Sequence, residues 1–143
     1  MNTERGPTDL EGRIGITNQT DVVDVRQKVR NLCDSLGFSL AETTRVVTAT
    51  SELARNIVEF AGSGEIHWRV LNNPGSGVEL IFEDNGPGIE DLEWAMGDGA
   101  STGNGLGKGL PGAEKLTDEM EVDTEPGSGT KITIRKWLNS RQE

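Results

Sequence analysis

Cysteine is almost missing from this chain. Cys33 is the only one in 143 residues, which excludes an internal disulfide and a cysteine-rich zinc cluster and suits a reducing compartment. Histidine is as scarce: His67 is the single one, so no histidine cluster can hold a metal, and its place in a strand, opposite the face of Trp68, argues against a phosphoacceptor. No apolar run approaches the roughly 20 residues of a membrane span, and the N-terminus lacks the charged-then-apolar layout of a signal peptide. A soluble cytoplasmic protein is expected. Positive charge is also short, with 14 Lys and Arg against 24 Asp and Glu and a formal net charge of -10. Such a surface repels a phosphate backbone, so nucleic acid and anionic membrane are poor partners. A single anionic ligand is not excluded, because helix N-termini, loop amides and a bound cation act locally.

What the chain does have is glycine, 19 residues of it, in informative places. The length fits one domain with a core of its own, expected over residues 12–138 between flexible tails at 1–11 and 139–143. Arg13 to Thr17 alternates as a short strand. Asp21 is a candidate cap for a helix whose apolar stripe runs Val22, Val25, Val29, Leu32, Cys33 and Leu36 and stops at Gly37; on that stripe Cys33 is core packing. Ser39 with Glu42 forms a capping box for a longer helix with a stripe of Val46, Val47, Thr50, Leu53, Ala54, Ile57, Val58 and Ala61. Strands follow with Ile66, Trp68 and Val70 on one face, then Val78, Leu80 and Phe82 on one face, joined by a turn at 73–77. From Glu83 to Gly109 the chain is rich in glycine and acid, a length that signals a lid or a disordered segment. Leu110 and Pro111 open a helix to Leu116. Two strands, near Met120–Thr124 and Thr130–Lys136, flank Glu125-Pro126-Gly127-Ser128-Gly129.

Three segments carry chemistry. In Glu52-Leu53-Ala54-Arg55-Asn56 a carboxylate and an amide lie on neighbouring positions of one helix face, away from the centre of the apolar stripe. A carboxylate accepts a proton from a hydroxyl, and an amide oxygen ligates a hard cation without cancelling its charge. In Asp84-Asn85-Gly86-Pro87-Gly88 the acid shares strand parity with Val78, Leu80 and Phe82. An ionised group at the end of an apolar face needs donors, and the exocyclic amine of a base, helped by a water, supplies them; Gly86 and Gly88 let the backbone approach a flat ligand closely. Thr130 shares parity with Ile132 and Ile134, so its hydroxyl can join a water network around Asp84. The alternating glycines of Gly103-Asn104-Gly105-Leu106-Gly107-Lys108-Gly109 turn backbone amides toward one anion, and the helix after them points its positive end the same way. Other nucleotide motifs fail. Gly107-Lys108-Gly109 lacks the Ser or Thr of a P-loop, and the G-x-G-x-x-G of Gly107, Gly109 and Gly112 follows no strand.

The order E-x-x-x-N, D-x-G-x-G, G-x-G-x-G and a final G-x-G-T resembles the ATPase superfamily of gyrase, Hsp90, histidine kinases and MutL. Within it, Ser51 to Ile57 and Gly105 to Gly112 resemble the RsbT-type serine/threonine kinases of bacterial stress signalling, a likeness that covers about residues 13–137. It implies a two-layer α/β sandwich (the Bergerat ATP-binding fold): a mixed, largely antiparallel sheet, helices on one face and a flexible ATP lid. It also implies roles. Asn56 would ligate the Mg2+ that bridges the phosphates of ATP, and Glu52 would orient or deprotonate the attacking hydroxyl. Asp84 would bind the adenine amine, with Gly86 and Gly88 shaping its pocket and Thr130 supporting it. Gly105, Leu106, Gly107, Lys108 and Gly109 would close over the phosphates; Lys108, where such kinases often carry an apolar residue, is open to two readings, phosphate contact or solvation.

The implied substrate is a serine or threonine on a small STAS-domain antagonist protein, and the implied sequel is release of the kinase to activate a downstream phosphatase. Two alternatives stand beside it. One is an anti-sigma kinase of the same superfamily that holds a sigma factor. The other is a binding switch with little turnover, in which ATP orders the lid and Trp94 and Met96 contact a partner.

Overall fold

The computed structural model describes residues 11–72, 76–89 and 110–138. Along the chain they form β1 (Glu11–Ile16), α1 (Gln19–Leu36), α2 (Leu40–Asn56), a π-helical turn (Ile57–Ala61), β2 (Gly64–Leu71), β3 (Gly77–Asp84), α3 (Leu110–Leu116), β4 (Glu119–Thr124) and β5 (Thr130–Trp137). The sheet runs β1-β2-β3-β5-β4, and all four pairings are antiparallel. It is a purer form of the mixed, largely antiparallel sheet expected. Glu11, expected in the flexible N-terminal tail, opens β1; residues 1–10, 73–75, 90–109 (with Trp94, Met96 and Gly105 to Gly109) and 139–143 lie outside the described residues.

The helices cover one face of the sheet. Ile66, Val78, Leu80, Phe82, Ile132 and Ile134 are buried there by strand alternation, against Val22, Val25, Val29 and Cys33 of α1 and Val46, Val47, Leu53 and Ala54 of α2. Residues of this kind each contribute roughly 1.5–3 kcal/mol on burial. Cys33 is completely enclosed, and burial pushes its thiol up to about 12, as core packing requires. Trp68 of β2 pairs directly with Gly12 of β1; any Cβ at Gly12 would meet the indole ring, and Lys28 caps the ring at 4.8 Å.

Local signals set the helix ends, with one correction. The α1 cap is Asn18, not Asp21: Asn18 is extended, and its side chain accepts the Asp21 N–H at 3.0 Å. That is the spacing of an N-cap to the third helical residue. Asp21 instead reaches back to accept from the Thr17 N–H at 2.8 Å and the Thr17 hydroxyl at 2.9 Å, bonds that lower its pKa. Gly37 ends α1 at φ 91, where a side chain is disfavoured. The Ser39 and Glu42 capping box is present with both bonds formed, at 3.1 and 3.2 Å.

The α2 helix buries more than one stripe, because it packs against α1 on one side and α3 on the other. Thr43, Ala49 and Ser51 are therefore enclosed as well. Thr50 and Ser51 satisfy their hydroxyls on the carbonyls of Val46 and Val47, at 2.8 and 3.1 Å. After Asn56 the helix widens: the Gly62 N–H bonds the Ile57 carbonyl at 2.8 Å, five residues back. Single π-turns of this kind occur often at functional positions.

Candidate functional site

The helix-covered face of the sheet ends at Asp84 on β3 and Thr130 on β5, which are direct partners in the ladder. Above them opens a cleft of about 490 Å3, a figure that includes the open space at its mouth. Leu53 and Asn56 of α2 border it, with Ile57, Phe60 and Ala61 of the π-turn, then Pro87, Gly88 and Ile89, Leu110 of α3, and Phe82 and Ile132 beneath. The walls are apolar and the few polar groups converge. Four sequence-derived site residues meet here: Asn56, Asp84, Gly88 and Thr130.

Asp84 is half-buried at the cleft floor, as its strand parity required. One carboxylate oxygen accepts the Gly86 N–H at 2.8 Å; among the described residues this is its sole hydrogen bond. A carboxylate in such a setting favours a ligand that brings donors.

The close approaches that Gly86 and Gly88 permit are to protein. A Cβ at Gly86 would stand 2.7 Å from the Ala61 Cβ of the π-turn, and Gly86 itself does not line the cleft. Gly88 has φ 77 and rests against the Glu125 carbonyl, while the Gly127 N–H bonds the Pro87 carbonyl at 2.6 Å. The β4–β5 turn thus grips the segment that leads away from Asp84.

Thr124 belongs to this grip and was not singled out in the sequence. Its hydroxyl oxygen lies 3.0 Å from the Ile89 N–H, 3.1 Å from the Gly129 carbonyl and 2.9 Å from the Thr130 hydroxyl. The signal was available: Thr124 follows Met120 and Val122 in inward parity, the argument that singled out Thr130. Phe60 is absent from the apolar stripe read in the sequence, and Ala61 stands there as a stripe residue and not as a cleft residue. A 3.6-residue period does not describe the π-turn Ile57–Ala61, so it does not give the direction of either.

Glu52 stands one turn before Asn56, outside the cleft lining, with its side chain 38% exposed. Arg55, 3.5 Å away, is its partner in an ion pair worth little at such exposure. Glu52 therefore stands beside the cleft, partly open to solvent. Asn56 brings one neutral amide oxygen to the cleft. That donor set fits Mg2+, which keeps water and phosphate oxygens around it and takes few ligands from protein. Among the described residues there is no group of three or more His, Cys, Asp or Glu able to hold a metal by itself. Gly105, Leu106, Gly107, Lys108 and Gly109 fall outside the described residues.

Residues 41–140 match the family model for histidine kinase-, DNA gyrase B-, and HSP90-like ATPases. The chain is 44% identical over 126 residues to the serine/threonine-protein kinase RsbT of Bacillus subtilis, covering 87% of this chain and 95% of that one. It is 30% identical over 120 residues to an anti-sigma F factor of a Thermoanaerobacter species, covering 80% and 84%. Among solved structures, the RsbU and RsbW domains of a Mycobacterium tuberculosis protein superpose with a TM-score of 0.62 at 20% identity, over 89% of this chain. This chain spans about a third (32%) of that one, and the likeness there is one of fold. The chain thus belongs to the histidine kinase-, DNA gyrase B- and HSP90-like ATPases and, among them, to the RsbT-type serine/threonine protein kinases.

Proposed function

We propose that residues 12–138 act as one domain that transfers the γ-phosphoryl group of Mg-ATP to a serine or threonine of a small STAS-domain antagonist protein in the bacterial cytoplasm. The kinase is then released to activate a downstream serine phosphatase regulator. The observation that carries this reading is the meeting of Asp84, Thr130 and Asn56 in one cleft of a chain 44% identical to a serine/threonine kinase.

Asp84 accepts the exocyclic amine of adenine while Thr130 holds a water beside it, and the apolar walls from Ile57, Phe82 and Ile132 receive the ring faces. Asn56 and the start of α3 border the end of the cleft where the phosphates would lie, and the motif assigns their binding also to Gly105, Leu106, Gly107, Lys108 and Gly109. Asn56 would hold Mg2+, which would supply charge neutralisation for the transfer. Glu52 accepts the proton of the substrate hydroxyl as its oxygen bonds the γ-phosphorus. The bond from that phosphorus to the β,γ-bridging oxygen breaks and ADP leaves. Little else is asked of the protein, because phosphoryl transfer depends on positioning and charge neutralisation.

Incubation with labelled ATP and candidate STAS proteins tests the reading. Label is expected on one STAS partner and not on its variant lacking the acceptor serine or threonine. The likeness to anti-sigma F factors supports a second reading, a kinase that also sequesters a sigma factor. Capture of a purified sigma factor in the presence of ADP or ATP would favour it. Nucleotide binding with no transfer to any STAS protein would favour an ATP-gated binding switch.

A further inference from the structure

We infer that Thr124 fixes the direction of the Thr130 hydroxyl proton, so that the cleft floor offers only acceptors and selects a 6-amino purine over a 6-oxo purine. The inference rests on the adenine reading of the cleft and adds a specificity residue on β4, which that reading does not use.

A threonine hydroxyl has one proton and two lone pairs. Around Thr124 Oγ1 stand three partners whose roles are constrained. The Ile89 N–H, at 3.0 Å, can only donate. The Gly129 carbonyl, at 3.1 Å, can only accept. Serving both uses the proton and one lone pair of Thr124, and the lone pair that remains faces the Thr130 oxygen at 2.9 Å. Thr130 must then donate to Thr124. In the reverse arrangement Thr124 donates to Thr130, and the carbonyl of buried Gly129 loses its contact. Three satisfied bonds against two decide between them, since an unpaired buried carbonyl costs free energy.

With its proton engaged, Thr130 shows the cleft two lone pairs and no donor. Beside it in the ladder, Asp84 also shows only acceptors. A carboxylate alone does not reject a 6-oxo purine, because such a base presents an N1–H that a carboxylate can accept. A second fixed acceptor does, since it has no partner on the carbonyl at position 6. It matches the amine, or the water that relays it. Thr124 is therefore a positioning residue, acting on the base through Thr130.

The test compares ADP and inosine diphosphate (IDP) by calorimetric titration of the full chain. Thr124→Val keeps the side-chain shape and frees the Thr130 proton to point into the cleft. ADP affinity is expected to fall about five- to tenfold and IDP affinity to hold or rise, so the ADP/IDP preference shrinks about tenfold. Thr124→Ser should restore the preference. The ratio is the informative readout, because loss of the Ile89 contact alone weakens both nucleotides equally. An equal loss for both, or an unchanged preference, overturns the role of Thr124 while leaving the adenine site intact. A wild-type protein that binds ADP and IDP equally, or binds neither, overturns the adenine reading and this inference with it. If Thr124→Val does not fold, Thr130→Val serves: it removes the acceptor itself, and an unchanged ADP/IDP preference there overturns the inference.

Discussion

The two faces of the sheet treat acidic residues in opposite ways. On the open face Glu79 is nearly inaccessible, at 3% exposure, yet its charge is answered within the chain. Arg69 lies 2.9 Å from one carboxylate oxygen and Arg135 lies 2.8 Å from the other. Arg135 extends the network to Glu119 and Glu121, both at 3.0 Å, and its guanidinium is held protonated more firmly than usual, first by Glu121 and then by Glu79 and Glu119. On the helix-covered face Asp84 is more accessible, and among the described residues it has one backbone N–H for company. A buried acid whose hydrogen bonds are completed by its own fold is part of the scaffold. An acid left with spare acceptor capacity at the end of an apolar face is a place for a ligand.

Five substitutions break or sharpen that contrast, in descending order of effect. Asn56→Ala should lower phosphoryl transfer about a hundredfold or more, because no second described residue supplies an amide oxygen at that corner of the cleft, while thermal unfolding stays near wild type. Transfer at the wild-type rate would remove Asn56 from the metal site. Asp84→Ala should weaken ATP binding about tenfold or more, and Glu52→Ala should leave affinity near wild type but slow transfer. Calorimetric titration of both variants separates recognition from chemistry, and equal affinity in the wild type and the Asp84 variant would contradict the adenine role.

Glu79→Ala should do the reverse. It is expected to cost about 1–3 kcal/mol of stability in denaturant unfolding, less than a fully buried pair because Arg135 keeps Glu119 and Glu121 and Arg69 is 57% exposed. Its ATP affinity should not change; a drop comparable to that of the Asp84 variant would erase the distinction between the faces. The smallest effect belongs to Glu119, whose pKa is lowered by the Trp137 indole N–H and then by Arg135. A carboxylate with a lowered folded pKa adds stability that is present above the unfolded value near 4.3 and lost as pH falls through the folded one. Glu119→Gln should therefore slightly lower stability at neutral pH and slightly flatten its loss below about pH 4. An identical acid limb in both proteins would show the bonds to be energetically idle.

Much of this was legible in the chain because it follows from short-range rules. Ser39 and Glu42 sit at the spacing of a capping box, Gly37 stops a helix, and period-two alternation put Asp84 and Thr130 on the same face as Leu80 and Ile132. The E-x-x-x-N and D-x-G-x-G spacings named candidate site residues, of which Asn56, Asp84 and Gly88 meet at the cleft while Glu52 and Gly86 do not line it. The Asp21 reading went wrong within the same short range, since Asn18 and Asp21 are both good capping residues and only the extended backbone of Asn18 decides which one caps.

The sequence alone, then, determined element types, the polar residues that end the inner strand faces, and the family. Tertiary structure decided what depends on two segments distant in the chain meeting at a specific register. The β3–β5 ladder sets Asp84 beside Thr130, and the π-turn after Asn56 brings Phe60 and Ala61 to the cleft, with Ala61 against Gly86. The β4–β5 turn places Thr124 under Ile89, 35 residues away. It also decided that Glu79 is an internal ion pair while Asp84 keeps spare acceptor capacity at the cleft floor. Local propensity and parity see a residue's face; the number of hydrogen bonds left for a ligand is set by which partners the fold brings within 3 Å.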